Sequence, residues 1–120
     1  MSYDIINTTH GKSTIKVMDV GTYTIELGQL EANANLETVS SATITELMWS
    51  TSGFILIKRN TTPVFNLFGS GAWVEASALP PAGANNKTAN LVFEINTAGT
   101  VVCVVKKEAT YNVADLYQVK

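Results

Sequence analysis

Apolar and polar residues alternate in short runs over residues 13–107, and Gly, Asn, Ser, Thr or Pro fills most of the gaps between runs. Alternation with a period of two marks strands that bury one face. In residues 13–18, Ile15 and Val17 share one face and Lys16 takes the other. In residues 22–27, Tyr23, Ile25 and Leu27 point one way, Thr24 and Glu26 the other. Asp19-Val20-Gly21 between them reads as a hairpin turn, because a short loop holding a Gly is a common connection. Residues 28–42 carry a weaker pattern, with Leu30 and Leu36 isolated among Glu31, Asn33, Asn35 and Glu37. That stretch reads as a loop with one helical turn, or as a loop carrying a short edge strand around Val39.

Strands follow at residues 43–50, 54–59 and 63–68, separated by turns at Thr51-Ser52-Gly53 and Asn60-Thr61-Thr62. Pro63 suits a strand start, where a missing N–H costs little. Trp49 falls on the side of Thr45 and Leu47, while Ile44 and Met48 take the other. Gly69-Ser70-Gly71 leads into residues 72–76. The breaker-rich residues 79–86 read as a crossover loop between sheets. Residues 89–96 and 100–107 then form a second hairpin through Thr97-Ala98-Gly99.

Taken together, the pattern predicts an all-β chain, a single-domain antiparallel β-sandwich with about eight strands and a jelly-roll or Greek-key path. Residues 1–12 form an N-terminal arm, 13–108 the sandwich, and 109–120 a C-terminal tail carrying Tyr111, Leu116 and Tyr117. A chain of 120 residues suits one domain with a self-standing core.

Two runs break the alternation. Phe54-Ile55-Leu56-Ile57 and Val101-Val102-Cys103-Val104-Val105 are apolar on both faces. A sandwich buries one face of each sheet, so an apolar outer face must be covered by the chain's own arms or by a partner. Composition sharpens the point. Charged residues make up only 15 % of the chain, against about 25 % in ordinary soluble domains. Part of the surface is therefore expected to lie against other protein. The contact candidates are Phe54, Ile55, Ile57, Trp73, Val102, Val104, Tyr111, Leu116 and Tyr117. A dimer or trimer of this chain would use the same faces.

Chemistry finds little support. The net charge is −2 and the cations are scattered, which argues against nucleic acid. No apolar run approaches the ~20 residues of a membrane span, and Met1-Ser2-Tyr3-Asp4 lacks the basic start of a signal peptide. The expectation is a protein made in a cytoplasm. Cys103, the one cysteine, reads as a buried filler with an inert thiol. His10, the one histidine, reads as a solvated turn residue without an oriented carboxylate or nucleophile. Glu26, Glu46, Glu75 and Glu94 each sit on the polar side of a strand, where single charges keep faces soluble and edges unpaired. No calcium loop or phosphate loop is present. The sequence thus suggests no enzyme, no cofactor and no metal.

The middle of the chain resembles a known group. The run Ser41-Ala42-Thr43-Ile44-Thr45-Glu46-Leu47-Met48-Trp49-Ser50 is followed by Phe54-Ile55-Leu56-Ile57-Lys58-Arg59, Val64-Phe65-Asn66-Leu67 and Gly69-Ser70-Gly71-Ala72-Trp73. Leu91-Val92-Phe93-Glu94-Ile95 and Gly99-Thr100-Val101-Val102 continue it. In this style of strand and turn, residues 13–107 resemble small virion structural proteins of tailed bacteriophages, particularly those of cyanobacterial and marine hosts. The resemblance implies a capsid decoration (cement) protein on the head exterior, bridging neighbouring major capsid subunits. It carries no catalytic residues over. The competing expectation is a tail, fibre or carbohydrate-binding module for host-surface recognition, with its contacts around Trp73 and residues 79–86.

Overall fold

A computed structural model describes residues 3–9, 11–31, 37–74 and 88–111. They form seven strands: β1 (Tyr3–Thr9), β2 (Lys12–Met18), β3 (Gly21–Ile25), β4 (Glu37–Arg59), β5 (Thr62–Val74), β6 (Leu91–Ile95) and β7 (Gly99–Tyr111). A short 3₁₀ turn, Leu27–Leu30, lies between β3 and β4. All strands join one antiparallel sheet in the order β1-β2-β7-β4-β6-β3, with β5 paired to β4. The expected second sheet and eighth strand are not among the described elements; a single curled sheet, a half-barrel, takes their place.

The two hairpins expected at Asp19-Val20-Gly21 and Thr97-Ala98-Gly99 do not form. β2 and β3 do not pair with each other; Met18 pairs with Thr100 on β7, and Gly21 pairs with Ile95 on β6. They are successive halves of one long strand, and β6 and β7 are halves of another. The second runs between the first and β4, which pairs first with β7 and then with β6. The expected turns at residues 51–53 and 69–71 are likewise passed without reversal, inside β4 and β5. The tight reversal after β4 does form, at Asn60 and Thr61, with Asn60 at φ 55°.

These irregularities line up across the sheet. The backbone breaks at Asp19 (φ 74°), around Thr97, between Ser50 and Phe54, and at Gly69 (φ 62°). The ladder persists through the line: Ser52 N–H donates to Ala98 O at 3.1 Å, and Asn96 N–H donates to Phe54 O at 3.0 Å. Gly53 leaves room here for the Thr97 hydroxyl, which a Cβ would displace. The sheet folds along this line into two leaves. The proof is Arg59, whose Nη1 donates to Ala42 O at 2.7 Å. The two residues lie on the same strand, and a straight strand would hold them roughly 55 Å apart at ~3.3 Å per residue.

The core fills the inside of the curl. Register rows set Ile15, Cys103 and Leu47 side by side on one leaf, and Tyr23, Phe93, Ile57 and Phe65 on the other. Ile15, Cys103, Ile57 and Phe93 are fully buried. Phe65 meets Trp73 edge-on, with ring centroids 5.0 Å apart. Two cations are also inside. Arg59 Nη2 donates to Ala89 O at 2.8 Å, so its fork ties the start of β4 to the segment entering β6. Lys107 Nζ donates to Leu30 O at 2.6 Å and holds the 3₁₀ turn against the sheet. Burial lowers the Arg59 pKa, and the nearby Cys103 sulfur partly opposes that shift.

Residues 3–9 of the expected arm are thus a paired strand of the sheet. Of the expected tail, residues 109–111 continue β7, while Leu116 and Tyr117 lie outside the described residues, as do residues 79–86 and His10.

Candidate functional site

The outer side of the first leaf spans five strands, and three of them, β7, β4 and β5, carry apolar residues at alternate positions. One register row reads Asp4, Lys16, Val102, Met48 and Ala72 from β1 to β5. The next reads Ile6, Thr14, Val104, Glu46 and Val74. Toward β1 and β2 the side chains are charged or polar except for the exposed Ile6. Toward β7, β4 and β5 the face turns aliphatic. Met48 is 58 % exposed and Val74 40 %, so this face stands open to water.

A shallow groove of about 400 Å³ runs over Met48, Ala72 and Val102, bordered by Ser50, Ser70 and Thr100. It continues into a depression of about 150 Å³ where Glu46, Val74 and Val104 join the same residues. The floor is apolar and the walls are side chains of three adjacent strands. The rim residue Trp49 is fixed by its indole N–H, which donates to Phe68 O at 3.0 Å.

A β-bulge decides which residues face the groove. Ile44 pairs with Val105 and Glu46 with Val104, so Thr45 is the extra residue. Its hydroxyl donates to Val104 O at 3.2 Å. Simple alternation would set Ile44, Glu46 and Met48 on one face. The bulge changes the parity: Ile44 turns into the core, 3 % exposed, and Glu46 and Met48 turn out. Leu47 and Trp49 then point inward together, and the sequence reading that set Ile44 beside Met48 is corrected.

The predicted contact residues divide accordingly. Val102 and Val104 lie on the open face, half-buried, in the groove. Ile55 and Ile57 are fully buried and belong to the core, so both are removed from the contact surface. Their alternates Phe54 and Leu56 take the outer side, half-buried. Phe54 pairs with an exposed Phe68, ring centroids 6.3 Å apart, beside the fold line. Trp73 is half-buried against Phe65, with one side on the groove. Tyr111 ends β7, and nothing is described of its side chain. Sequence reasoning did not name Met48, Val74 or Phe68 as contact residues, and it read Glu46 only as a charge that keeps a strand face soluble. Met48 and Val74 are the cross-strand neighbours of Val102 and Glu46, a relationship that only register supplies.

The outer side of the second leaf is more polar. Lys58 Nζ bonds Glu94 Oε2 at 2.6 Å across its centre, and Thr22, Thr24 and Asn66 flank the pair. Cys103 is fully buried, and burial pushes its thiol up to about 12 against an opposing pull from Arg59. That thiol is held in its inert, protonated form at neutral pH. Among the described residues, no three His, Cys, Asp or Glu side chains gather as metal ligands.

No family model, curated protein or solved structure matches the chain.

Proposed function

We propose that this protein is a structural component that works by protein–protein contact, and that it is a capsid decoration protein of a tailed bacteriophage. In this reading it sits on the head exterior and bridges major capsid subunits, performs no turnover, and is made in the cytoplasm of the bacterial host. The single observation that carries it is the open aliphatic groove over Met48, Val102 and Ala72, on a leaf whose inner face already supplies the core. Folding alone does not require that second apolar face. The strand-and-turn resemblance to phage virion proteins supplies the kind of partner. Modest contacts suffice on a repeating lattice, because a molecule that spans two subunits gains from effective concentration.

The experiment is a count of copies in purified phage particles by quantitative mass spectrometry against the major capsid protein. Decoration predicts copies in the hundreds, lost on treatments that strip the outer surface without opening the head. A handful of copies points to the neck or tail, and absence from particles ends the proposal.

A further inference from the structure

Glu46 stands in the lining of the aliphatic groove, flanked in its row by Val104 and Val74. It is half-buried, and among the described residues its carboxylate has no hydrogen bond or ion pair. The Thr45 bulge turns it there. A carboxylate on an apolar floor loses hydration, here without receiving a counter-charge from any described residue, and its obvious complement is a cation. Lys106, two residues beyond Val104 on the same face of β7, is its diagonal neighbour and forms no ion pair with it, and Lys16 lies farther off, two strands away in the neighbouring row.

From this charge pattern we infer that the groove receives an extended segment of another protein, presenting a basic side chain to Glu46 and an aliphatic one to Met48. Glu46 and Met48 are two residues apart on one strand, ~7 Å along its axis. An extended segment running along β4 repeats its own same-face side chains at that spacing. One Arg or Lys with Val, Ile or Leu two residues away therefore fits both subsites at once. Arg fits better, since its planar fork can hold both carboxylate oxygens. A second copy of this chain is a poorer occupant. Laid face to face about a two-fold axis running along β4, it would set Glu46 against Glu46. The inference rests on the contact role proposed above and names the chemistry of the partner surface.

The test uses two synthetic peptides, acetyl-Val-Thr-Arg-Thr-Val-amide and its counterpart with Glu in place of Arg. Binding to the full chain is read by methyl chemical shifts of Met48, Val74, Val102 and Val104. The Arg peptide shifts all four and the Glu peptide none. Glu46→Gln weakens the Arg peptide about fivefold, the scale of one partly exposed ion pair. Glu46→Lys abolishes that binding and lets the Glu peptide bind. Circular dichroism confirms that each variant is folded. Equal binding of the two peptides, binding indifferent to Glu46, or binding of neither overturns the inference. So does a dimer in sedimentation that Met48→Asp dissociates, because a second copy then fills the groove. Failure here leaves the particle count untouched, and absence from particles leaves the peptide result standing, so the two readings fail separately.

Discussion

The indole of Trp49 lies directly over Gly71 on the neighbouring strand, so close that a Cβ there would fall 2.6 Å from Cζ2. The two are register partners, and the indole N–H is already committed to Phe68 O at 3.0 Å. The ring cannot retreat without breaking that bond. Gly71→Ala is expected to destabilise the protein by about 1–3 kcal/mol, the usual range for forcing atoms into filled space. Gly11→Ala has no described atom within 4 Å of the new methyl and is expected to stay within about 0.5 kcal/mol of wild type. Urea unfolding followed by tryptophan fluorescence measures both. Equal effects would mean that the ring does not pin this position.

The alternation of the chain correctly identified strands on β2, β4, β5 and β7, because period two is a local property of a half-buried strand. What it could not separate was a reversal from a bend. Asp19-Val20-Gly21 and Thr97-Ala98-Gly99 have the chemistry of hairpin loops, yet both continue their strands. The difference comes from partners far off in sequence: Met18 and Gly21 are held by Thr100 and Ile95, two parts of a single distant ribbon. The open apolar face was legible in part for a related reason. Val102 and Val104 stood out because their strand is apolar on both sides. Which of Phe54 or Ile55 faced inward depended on where the extra residues of β4 fall, and a bulge leaves no distinctive mark on a run of Thr, Ser and Gly.

Arg59 offers a second test. Its fork satisfies two carbonyls, Ala42 O and Ala89 O, while its buried Nε has no hydrogen-bond partner among the described residues. Arg59→Lys keeps a buried charge but cannot span both oxygens, leaving an acceptor bare at about 1–3 kcal/mol. Arg59→Ala adds a cavity and is expected to be worse, at about 3–5 kcal/mol. Arg59→Met fills the space but leaves both carbonyls bare, and is expected to fall between the lysine and alanine variants. Denaturant midpoints give the order. If methionine is tolerated as well as lysine, the two-carbonyl clamp is not what holds the leaves together.

Cys103 makes stability depend on alkaline pH. Its thiol titrates near 9 when exposed and is pushed up to about 12 by burial. Between those values the unfolded chain releases the proton and the native protein keeps it, so stability falls as pH rises. Below about 9 both states hold the proton and this group contributes no slope. Across the full window the loss is on the order of 4 kcal/mol, at ~1.4 kcal/mol per unit. Cys103→Ala is less stable at neutral pH, from lost packing, but its curve falls less steeply above pH 9. Parallel curves for the two proteins up to pH 11 would show that the native thiol ionises freely. Iodoacetamide should label the native protein only at the rate of global unfolding.

The parity set by Thr45 gives adjacent residues opposite fates. Leu47 is 1 % exposed and Met48 is 58 % exposed. Leu47→Ala should cost about 2–5 kcal/mol, and Met48→Ala should stay within about 0.5 kcal/mol. Thr45→Val removes the bond to Val104 O but keeps the residue count, at a cost of about 1 kcal/mol. Deleting Thr45 removes the extra residue itself. Ile44 stays opposite Val105 and Glu46 opposite Val104, now in an unbroken ladder, so the residues on both sides keep their native faces. What is lost is the hydroxyl bond to Val104 O and the local bend of the bulge. The deletion is expected to keep cooperative unfolding, at a cost of about 0.5–3 kcal/mol. Far-UV circular dichroism with a urea titration decides it: loss of the cooperative transition would show that β4 needs the bend at Thr45, and not only the matched pairing on either side of it, to reach its partners.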